Sequence, residues 1–442
     1  MYNKAPYSIC QYLSNGLLYF NAATGKEAFI PYGKAPVLEQ NPFDIAYITS
    51  KLDSKYFNSL ICAGIIVENE LEQYRMIEQY RDNDWASERT LHVTILPTEF
   101  CNFACTYCYQ DHNAKWMTDE TMSATVKFIT RQLTNFDTLH LAWFGGEPLC
   151  ASKMLCKSMR QIAMSAAVQK VKLHASMTTN GYLLSPELFA ELYSYGIYGY
   201  QITLDGPENI HDKFRHLRDG GGTYVQIIEN LKYIKNNSQF SKARVLLRIN
   251  LTQKLVNELE AFIWDLGELF GNDDRFSVDL QNVSDLGGEG INTMRSELIS
   301  EPPNAEGIAH LLEKYGFPTI MDSASVCIGG QVCDASRHNS YVIGVDGSVK
   351  KCTAALYDEA NNVGYIDSEG ILHINEKNHR LWHEFKSCKE EKNCELYPIC
   401  YSRACPYVAL RYDQIKCPKE AILNSIRNLR SCGRDKEILS QI

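Results

Sequence analysis

Three cysteines, Cys101, Cys105 and Cys108, stand in 101-CNFACTYCYQ-110 with the spacing Cys-x3-Cys-x2-Cys. Thiols this close in sequence suit a soft metal. A structural zinc ion takes four protein ligands, often from paired Cys-x2-Cys units, and this loop offers only three. On a 4Fe-4S cluster, three thiolates leave one iron free for a small molecule. A second field of thiols comprises Cys327, Cys333, Cys352, Cys388, Cys394, Cys400, Cys405 and Cys417. Eight thiols suffice for two zinc sites or for two four-iron clusters. The cysteine-only donors and the upstream loop favour iron–sulfur. Cys10, Cys62, Cys150, Cys156 and Cys432 lack close partners in sequence and read as small buried hydrophobes.

The setting of these thiols narrows the class. The chain has 442 residues and 16 cysteines, with 45% hydrophobic and 22% charged residues, a globular composition expected to fill two or three cores. No export signal or bilayer-length apolar run is evident, so a reducing cytoplasm with metal-bound thiols is expected rather than disulfides, and no membrane partner. A net charge of −9 argues against a general nucleic-acid binder.

The elements that must position the thiols form three regions. Residues 1–85 carry strand-like runs at 16–21 and 27–32 around the turn 22-AATGK-26, followed by helical patterns, and suggest a winged-helix-like module. Residues 86–300 alternate strands with helices, with strands expected at 91–97, 138–144, 171–178, 198–204, 244–251 and 276–283. Such alternation specifies an α/β fold with a parallel sheet, here an open barrel of six strand–helix units. Catalytic groups collect at the strand ends of this architecture. In residues 301–442 the periodicity fades and cysteines dominate, as expected where metal ligation staples the chain. Within it, 341-YVIGVDGSVKKC-352 reads as a hairpin turning at Asp346-Gly347.

Taken together, the motifs resemble the radical S-adenosylmethionine (SAM) superfamily. The cysteine loop, with Tyr107 just before its last thiol, follows the first strand of that region. The second strand leads to 145-GGEP-148 and the third to 178-TTNG-181. The fourth ends in 203-TLDGPENIHDKFR-215, followed by 221-GGTY-224. The resemblance implies a partial (β/α)6 radical SAM barrel with a 4Fe-4S cluster on Cys101, Cys105 and Cys108. It implies SAM contacts from Tyr107, Gly145, Gly146, Glu147, Pro148, Thr178, Asn180, Thr203, Arg215 and Arg248. Asn250 is expected to face the same site. The general base is not identified; Asp205 is the weak candidate, with Asp279 and Gln281 also near strand ends.

The C-terminal thiols resemble the SPASM domain, the auxiliary-cluster extension of peptide-modifying radical SAM enzymes. By that resemblance Cys327, Cys333, Cys352 and Cys405 would hold one auxiliary cluster, and Cys388, Cys394, Cys400 and Cys417 a second. That makes three 4Fe-4S clusters in all. Spacings of Cys-x5-Cys and Cys-x4-Cys depart here from the family's Cys-x2-Cys and Cys-x3-Cys. The N-terminal module is similar to the domains that capture leader peptides by adding a strand to a sheet edge. The implied enzyme is a maturase that forms a crosslink in a ribosomally made precursor peptide, a Cys thioether to carbon above all. Its electron donor would be a flavodoxin or ferredoxin. The alternatives are an anaerobic sulfatase-maturing enzyme that makes formylglycine and a non-catalytic binding protein.

Overall fold

The computed structural model describes residues 2–13, 15–34, 44–84, 89–111, 113–283, 290–299, 303, 305–317, 326–385, 388, 393–412 and 417–431. The expected boundaries near residues 85 and 300, and Cys432, lie outside them. The chain divides into two compact units, one of residues 1–87, 320–338 and 382–442, the other of residues 88–319 and 339–381.

The first unit holds a short antiparallel pair, β1 (Asn3–Lys4) with β5 (Ile66–Val67), and a three-stranded antiparallel sheet of β2 (Ser8–Leu13), β3 (Gly16–Asn21) and β4 (Lys26–Pro31). β3 is buried along its whole length because the sheet is covered on both faces. On one face Leu17, Tyr19 and Ile30 pack on helices α1 (Ile45–Lys51) and α2 (Ser54–Cys62) through Ile48 and Leu60. On the other, Ile9, Leu18 and Phe20 share a core with Leu396, Tyr397, Ile399 and Ile422 from the C-terminal segment. Helix α3 (Glu70–Asp84) adds Ile77 to that core. Asn21, fully buried, ties the sheet to the turn after α2 by donating to Gly64 O at 2.6 Å. Sheets and helices thus hold one another by apolar faces, with the buried amide satisfied.

The second unit contains one ten-stranded sheet in the order β11-β10-β9-β8-β7-β6-β12-β13-β14-β15. Its parallel half is β6 (Thr90–Ile95), β7 (Thr138–Trp143), β8 (Lys172–Thr179), β9 (Ile197–Thr203), β10 (Arg244–Leu251) and β11 (Phe276–Asn282). These are the six expected strands, each with buried apolar residues because helices cover the sheet. The crossovers include α4 (Asp119–Gln132), α5 (Ser152–Gln169), α6 (Pro186–Ser194), α7 (Glu208–Phe214) and α8 (Tyr224–Asn236). Thr118 caps α4 and Ser185 caps α6, the latter with Pro186 in its first turn, so these helices begin where the sequence supplies a cap.

β6 does not pair with β11. Its free edge is taken by β12 (Ser340–Ile343), which runs parallel to it and starts an antiparallel extension of β13 (Ser348–Lys350), β14 (Asn362–Ile366) and β15 (Leu372–Ile374). The turn between β12 and β13 is the expected Asp346-Gly347, with Gly347 at φ +80°, where a side chain is disfavoured. No helix among the described residues is long and apolar enough to cross a membrane.

One polar hub fastens the C-terminus of α8 to β11. Arg275 donates to Ile234 O and Asn237 O at 2.9 Å and to Lys235 O at 2.7 Å, and forks onto both carboxylate oxygens of Asp273. Arg275→Met removes the fork from the Asp273 carboxylate, which keeps Lys235 Nζ at 3.3 Å, and leaves three carbonyls without their donor, so it is expected to lower stability by about 2 kcal/mol in denaturant titration. The Arg275 hydrogen bonds hold the Asp273 carboxyl down at about 2. The stabilisation from this pair is therefore full at neutral pH and is lost as pH falls from the ordinary carboxylate range towards about 2.

Candidate functional site

The cysteine loop lies over the C-terminal ends of β6 to β8 because glycines let backbones meet there. Gly146 N donates to Thr98 O at 3.0 Å and Glu147 N to Phe100 O at 2.9 Å. A Cβ on Gly146 would stand 2.3 Å from Phe100 O, and one on Gly145, at φ +123°, 2.4 Å from Thr98 O. Residues 145-GGEP-148 therefore cradle the chain just ahead of Cys101, and Pro148 opens the short helix that follows.

Glu147 is 1% exposed, and its carboxylate is taken up by neighbours. Oε1 accepts from Leu149 N at 3.0 Å and Thr179 Oγ1 at 2.7 Å, and Oε2 accepts from Asn180 N at 2.7 Å. Burial raises its pKa, while these hydrogen bonds oppose the rise. Glu147 thus welds 145-GGEP-148 to 178-TTNG-181. Asn180 continues the chain of contacts, donating to Asn102 Oδ1 at 2.8 Å beside Cys101. Thr178 is only half-buried, and Thr179, its neighbour, makes the contact.

A second network joins the loop to β9 and β10. The Tyr107 hydroxyl donates to Asp205 Oδ2, and accepts from Arg215 Nη1 at 2.8 Å and Asn250 Nδ2 at 3.2 Å. Asp205, just past Thr203 at the end of β9, takes Asn250 N on its other oxygen at 2.8 Å. Asp205 N donates in turn to His211 Nδ1 at 3.1 Å. Burial drives the His211 pKa well down, so the imidazole is neutral and accepts. Thr223, from 221-GGTY-224, donates to Arg215 O at 2.6 Å and fixes that residue's backbone. Burial opposes the charge on Arg215, but Tyr107, Cys105 and Asp205 outweigh it and hold the guanidinium protonated. Asp205 has both oxygens engaged, which suits a positioning anion better than a free base.

Next along the sheet, Arg248 Nη1 donates to Asp279 Oδ2 at 2.7 Å, and Gln281 Nε2 to Asp279 Oδ1 at 2.9 Å. Arg248 Nε reaches Asn250 Oδ1 at 3.2 Å. The expected Arg248 is therefore bound to a carboxylate of the neighbouring strand.

The donor set fits an iron–sulfur cluster with a polar small molecule beside it. Cys101, Cys105 and Cys108 fall on one short loop, and Arg215 and Asp205 influence the Cys105 thiol electrostatically. Burial pushes Cys105 up to about 11, so a metal is needed to hold it as a thiolate at neutral pH. Two buried donors, Arg215 Nε and Asn102 Nδ2, have no hydrogen-bond acceptor. Such orphans flanking a metal loop are what a bound acceptor would satisfy. Sequence reasoning missed Thr179, Asn102 and the linking role of the Tyr107 hydroxyl. Only the polar character of the first two was visible beforehand.

The C-terminal thiols divide between the units. Cys352 belongs to the second, where Asn361 clamps its loop by accepting from Cys352 N and donating to Cys352 O. Its loop also meets the first cysteine loop: Tyr109 OH donates to Thr353 O at 3.1 Å, and Asp111 N to Tyr357 OH at 3.1 Å. Cys327, Cys333 and Cys405 belong to the first unit, where Gly329 N, Gln331 N and Cys333 N donate to Pro398 O, Ile399 O and Arg403 O. Cys388, Cys394, Cys400 and Cys417, also in the first unit, line a single cavity.

Residues 95–263 match the family model described as the radical SAM superfamily. Two similar relatives are a radical SAM cyclopropyl synthase, TigE, of Paramaledivibacter caminithermalis and a cysteine-type anaerobic sulfatase-maturating enzyme of Clostridium novyi. The first is 24% identical over 45% of this chain and 44% of its own length, the second 22% identical over 71% and 87%. The match spans less than half the length of the first curated relatives. Among solved structures, native anSMEcpe with bound AdoMet and a peptide superposes with a TM-score of 0.57 at 18% identity. That match covers 77% of this chain and 97% of the other, a likeness of fold.

Proposed function

From the premise that residues 95–263 are a radical SAM domain and the protein an enzyme of that superfamily, we propose that it matures a ribosomally made precursor peptide, joining a cysteine sulfur to carbon. The observation that carries the reading is the three-thiol loop laid on 145-GGEP-148, with the buried, partly unsatisfied Arg215 beside it. Cys101, Cys105 and Cys108 would hold the 4Fe-4S cluster, and Arg215 and Asn180 would orient SAM. When bound, cluster and SAM supply a 5′-deoxyadenosyl radical, which takes a hydrogen atom from an unreactive C–H bond. Arg215 would meet the SAM carboxylate with its Nε, which has no hydrogen-bond acceptor, and Tyr107 and Asp205 hold that guanidinium in place. Thioether formation removes one hydrogen atom, one thiol proton and one electron. The thiol proton would pass to solvent, and an auxiliary cluster on Cys388, Cys394, Cys400 and Cys417 would take the electron. Among the described residues the outer edges of β2 and β4 pair with no further strand, which suits the capture of an extended leader peptide. A flavodoxin or ferredoxin would deliver the first electron.

Anaerobic incubation of the reconstituted enzyme with SAM, reductant and the precursor peptide encoded beside it tests this. The expected products are 5′-deoxyadenosine and a peptide lighter by two hydrogens, both lost in Cys105→Ala. An unchanged peptide mass would overturn the proposal. The relative matched over most of this chain keeps a second reading in view, oxidation of cysteine to formylglycine. That product would instead have lost its sulfur.

A further inference from the structure

The cavity lined by Cys388, Cys394, Cys400 and Cys417 has walls that serve a second purpose. Leu396, Tyr397 and Ile422 also line it, and all three belong to the core that Ile9, Leu18 and Phe20 of the N-terminal sheet fill. The Tyr397 ring stacks on Tyr7 with centroids 6.5 Å apart, and its hydroxyl accepts from Arg81 at 3.3 Å. From β2, Gln11 donates to Leu423 O at 3.0 Å. The inner face of the sheet therefore rests on the residues that enclose the four thiols.

Ile422 is carried by the helix Lys419–Ser431, but Leu396 and Tyr397 have little structure of their own to hold them there. The helix between the second and third thiols is four residues, Tyr397–Cys400, too short to persist alone. It is followed by two consecutive non-glycine residues in the left-handed region, Tyr401 at φ 47° and Ser402 at φ 57°. Such backbone persists only where its surroundings over-determine it. A side-chain contact, Cys388 Sγ to Ser402 Oγ at 3.1 Å, already ties this turn to the first thiol.

We propose that an iron–sulfur cluster bound by Cys388, Cys394, Cys400 and Cys417 is the staple of the N-terminal sheet, so that the module expected to capture the peptide is ordered only while that cluster is present. This rests on the reading of those four cysteines as cluster ligands. Metal held by four chain segments fixes Leu396, Tyr397 and Ile422 in place, and these in turn back β2 and β3. Oxidative loss of the cluster would then disable substrate capture as well as electron acceptance, without touching the SAM site.

The test is hydrogen exchange, read by mass spectrometry, on the full chain carrying Cys101→Ala, Cys105→Ala, Cys108→Ala, Cys327→Ala, Cys333→Ala and Cys352→Ala. Iron in this variant can occupy only the C-terminal cysteines. Removing it with chelator is expected to speed exchange of the β2 and β3 amides at least about tenfold, as for a ligand held at ten times its dissociation constant. Exchange in β7 and β8 should stay as it was. Tyr397→Ala should keep the iron yet show the fast β2 exchange. Iron bound, with β2 and β3 exchange the same before and after its removal, would overturn the staple alone. No iron bound would overturn the ligand assignment and the staple with it.

Discussion

Arg215→Met is expected to lower stability by about 3–5 kcal/mol, because it leaves Asp205 as a buried anion without its cation. Arg215 is 7% exposed and Asp205 1%. The two are connected through the Tyr107 hydroxyl, and Arg215 Nε lies 3.9 Å from Asp205 Oδ2. Adding Asp205→Asn to Arg215→Met removes the stranded charge and should recover part of the loss, so a double-mutant cycle in denaturant titration isolates the pair. SAM affinity, read by calorimetry on the reconstituted protein, should fall by the 2–5 kcal/mol typical of truncating one partner of a buried charge pair. Arg215→Lys should not restore it, since an ammonium cannot reach Tyr107 and the ligand together in the plane of a guanidinium. Full stability in Arg215→Met would mean that Asp205 is protonated in the folded protein.

Gly146→Ala is the second large effect, and it acts on the cysteine loop without removing any polar group. Gly146 is absent from the residues with positive φ, so the backbone itself would accept alanine. The obstacle is contact. The new methyl group would meet Phe100 O at 2.3 Å and Glu99 O at 2.4 Å, both backbone atoms that cannot swing aside. Overpacking of this kind costs about 1–3 kcal/mol and more where the neighbour is rigid. Here the neighbour leads straight into Cys101. Iron content after reconstitution should fall by one cluster's share, with the C-terminal share intact. Gly33→Ala, at a position with nothing within 4 Å, is the matched control and should change neither iron nor stability. Unaltered iron content in Gly146→Ala would show that the loop can shift without losing its ligands.

The parts legible in the sequence were those written in local pattern. All six parallel strands appear where apolar β-prone runs predicted them, because in most of them every second residue is apolar and buried, as with Leu91, Val93 and Ile95 in β6 and Val245, Leu247 and Ile249 in β10. The order of the motifs on successive strand ends followed from the same pattern. β2 was not legible: 8-SICQYL-13 mixes polar and apolar residues, and its inner face is completed by residues nearly four hundred positions away. Nor could periodicity show β12 pairing beside β6, since parallel pairing across such a separation leaves no local mark. Glu147 illustrates a different gap. Its place in the motif pointed to a SAM contact, and nothing in the sequence showed that three donors from its own chain surround the carboxylate. The hub at Tyr107 was hidden for a similar reason, because the motif calls for an aromatic ring and the work done here belongs to its hydroxyl.

The pairing of β12 with β6 bears on how this protein can change over evolutionary time. His92 to Ile95 stand in register with Ser340 to Ile343, and β12 pairs in turn with β13, the strand that leads into Cys352, so the loops that carry Cys101 and Cys352 are tied to one another through three neighbouring strands. Tyr109 and Tyr357 then button those loops together. Adding or deleting residues between Asn282 and Ser340, outside the stretch from Val326 to Arg337, leaves that ladder untouched, and lineages are free to vary the length there. A single residue gained between Ile95 and Cys101, or between Ile343 and Cys352, would throw one thiol out of step with the other. Length variation among descendants of this sequence should therefore be concentrated in the first interval and purged from the other two.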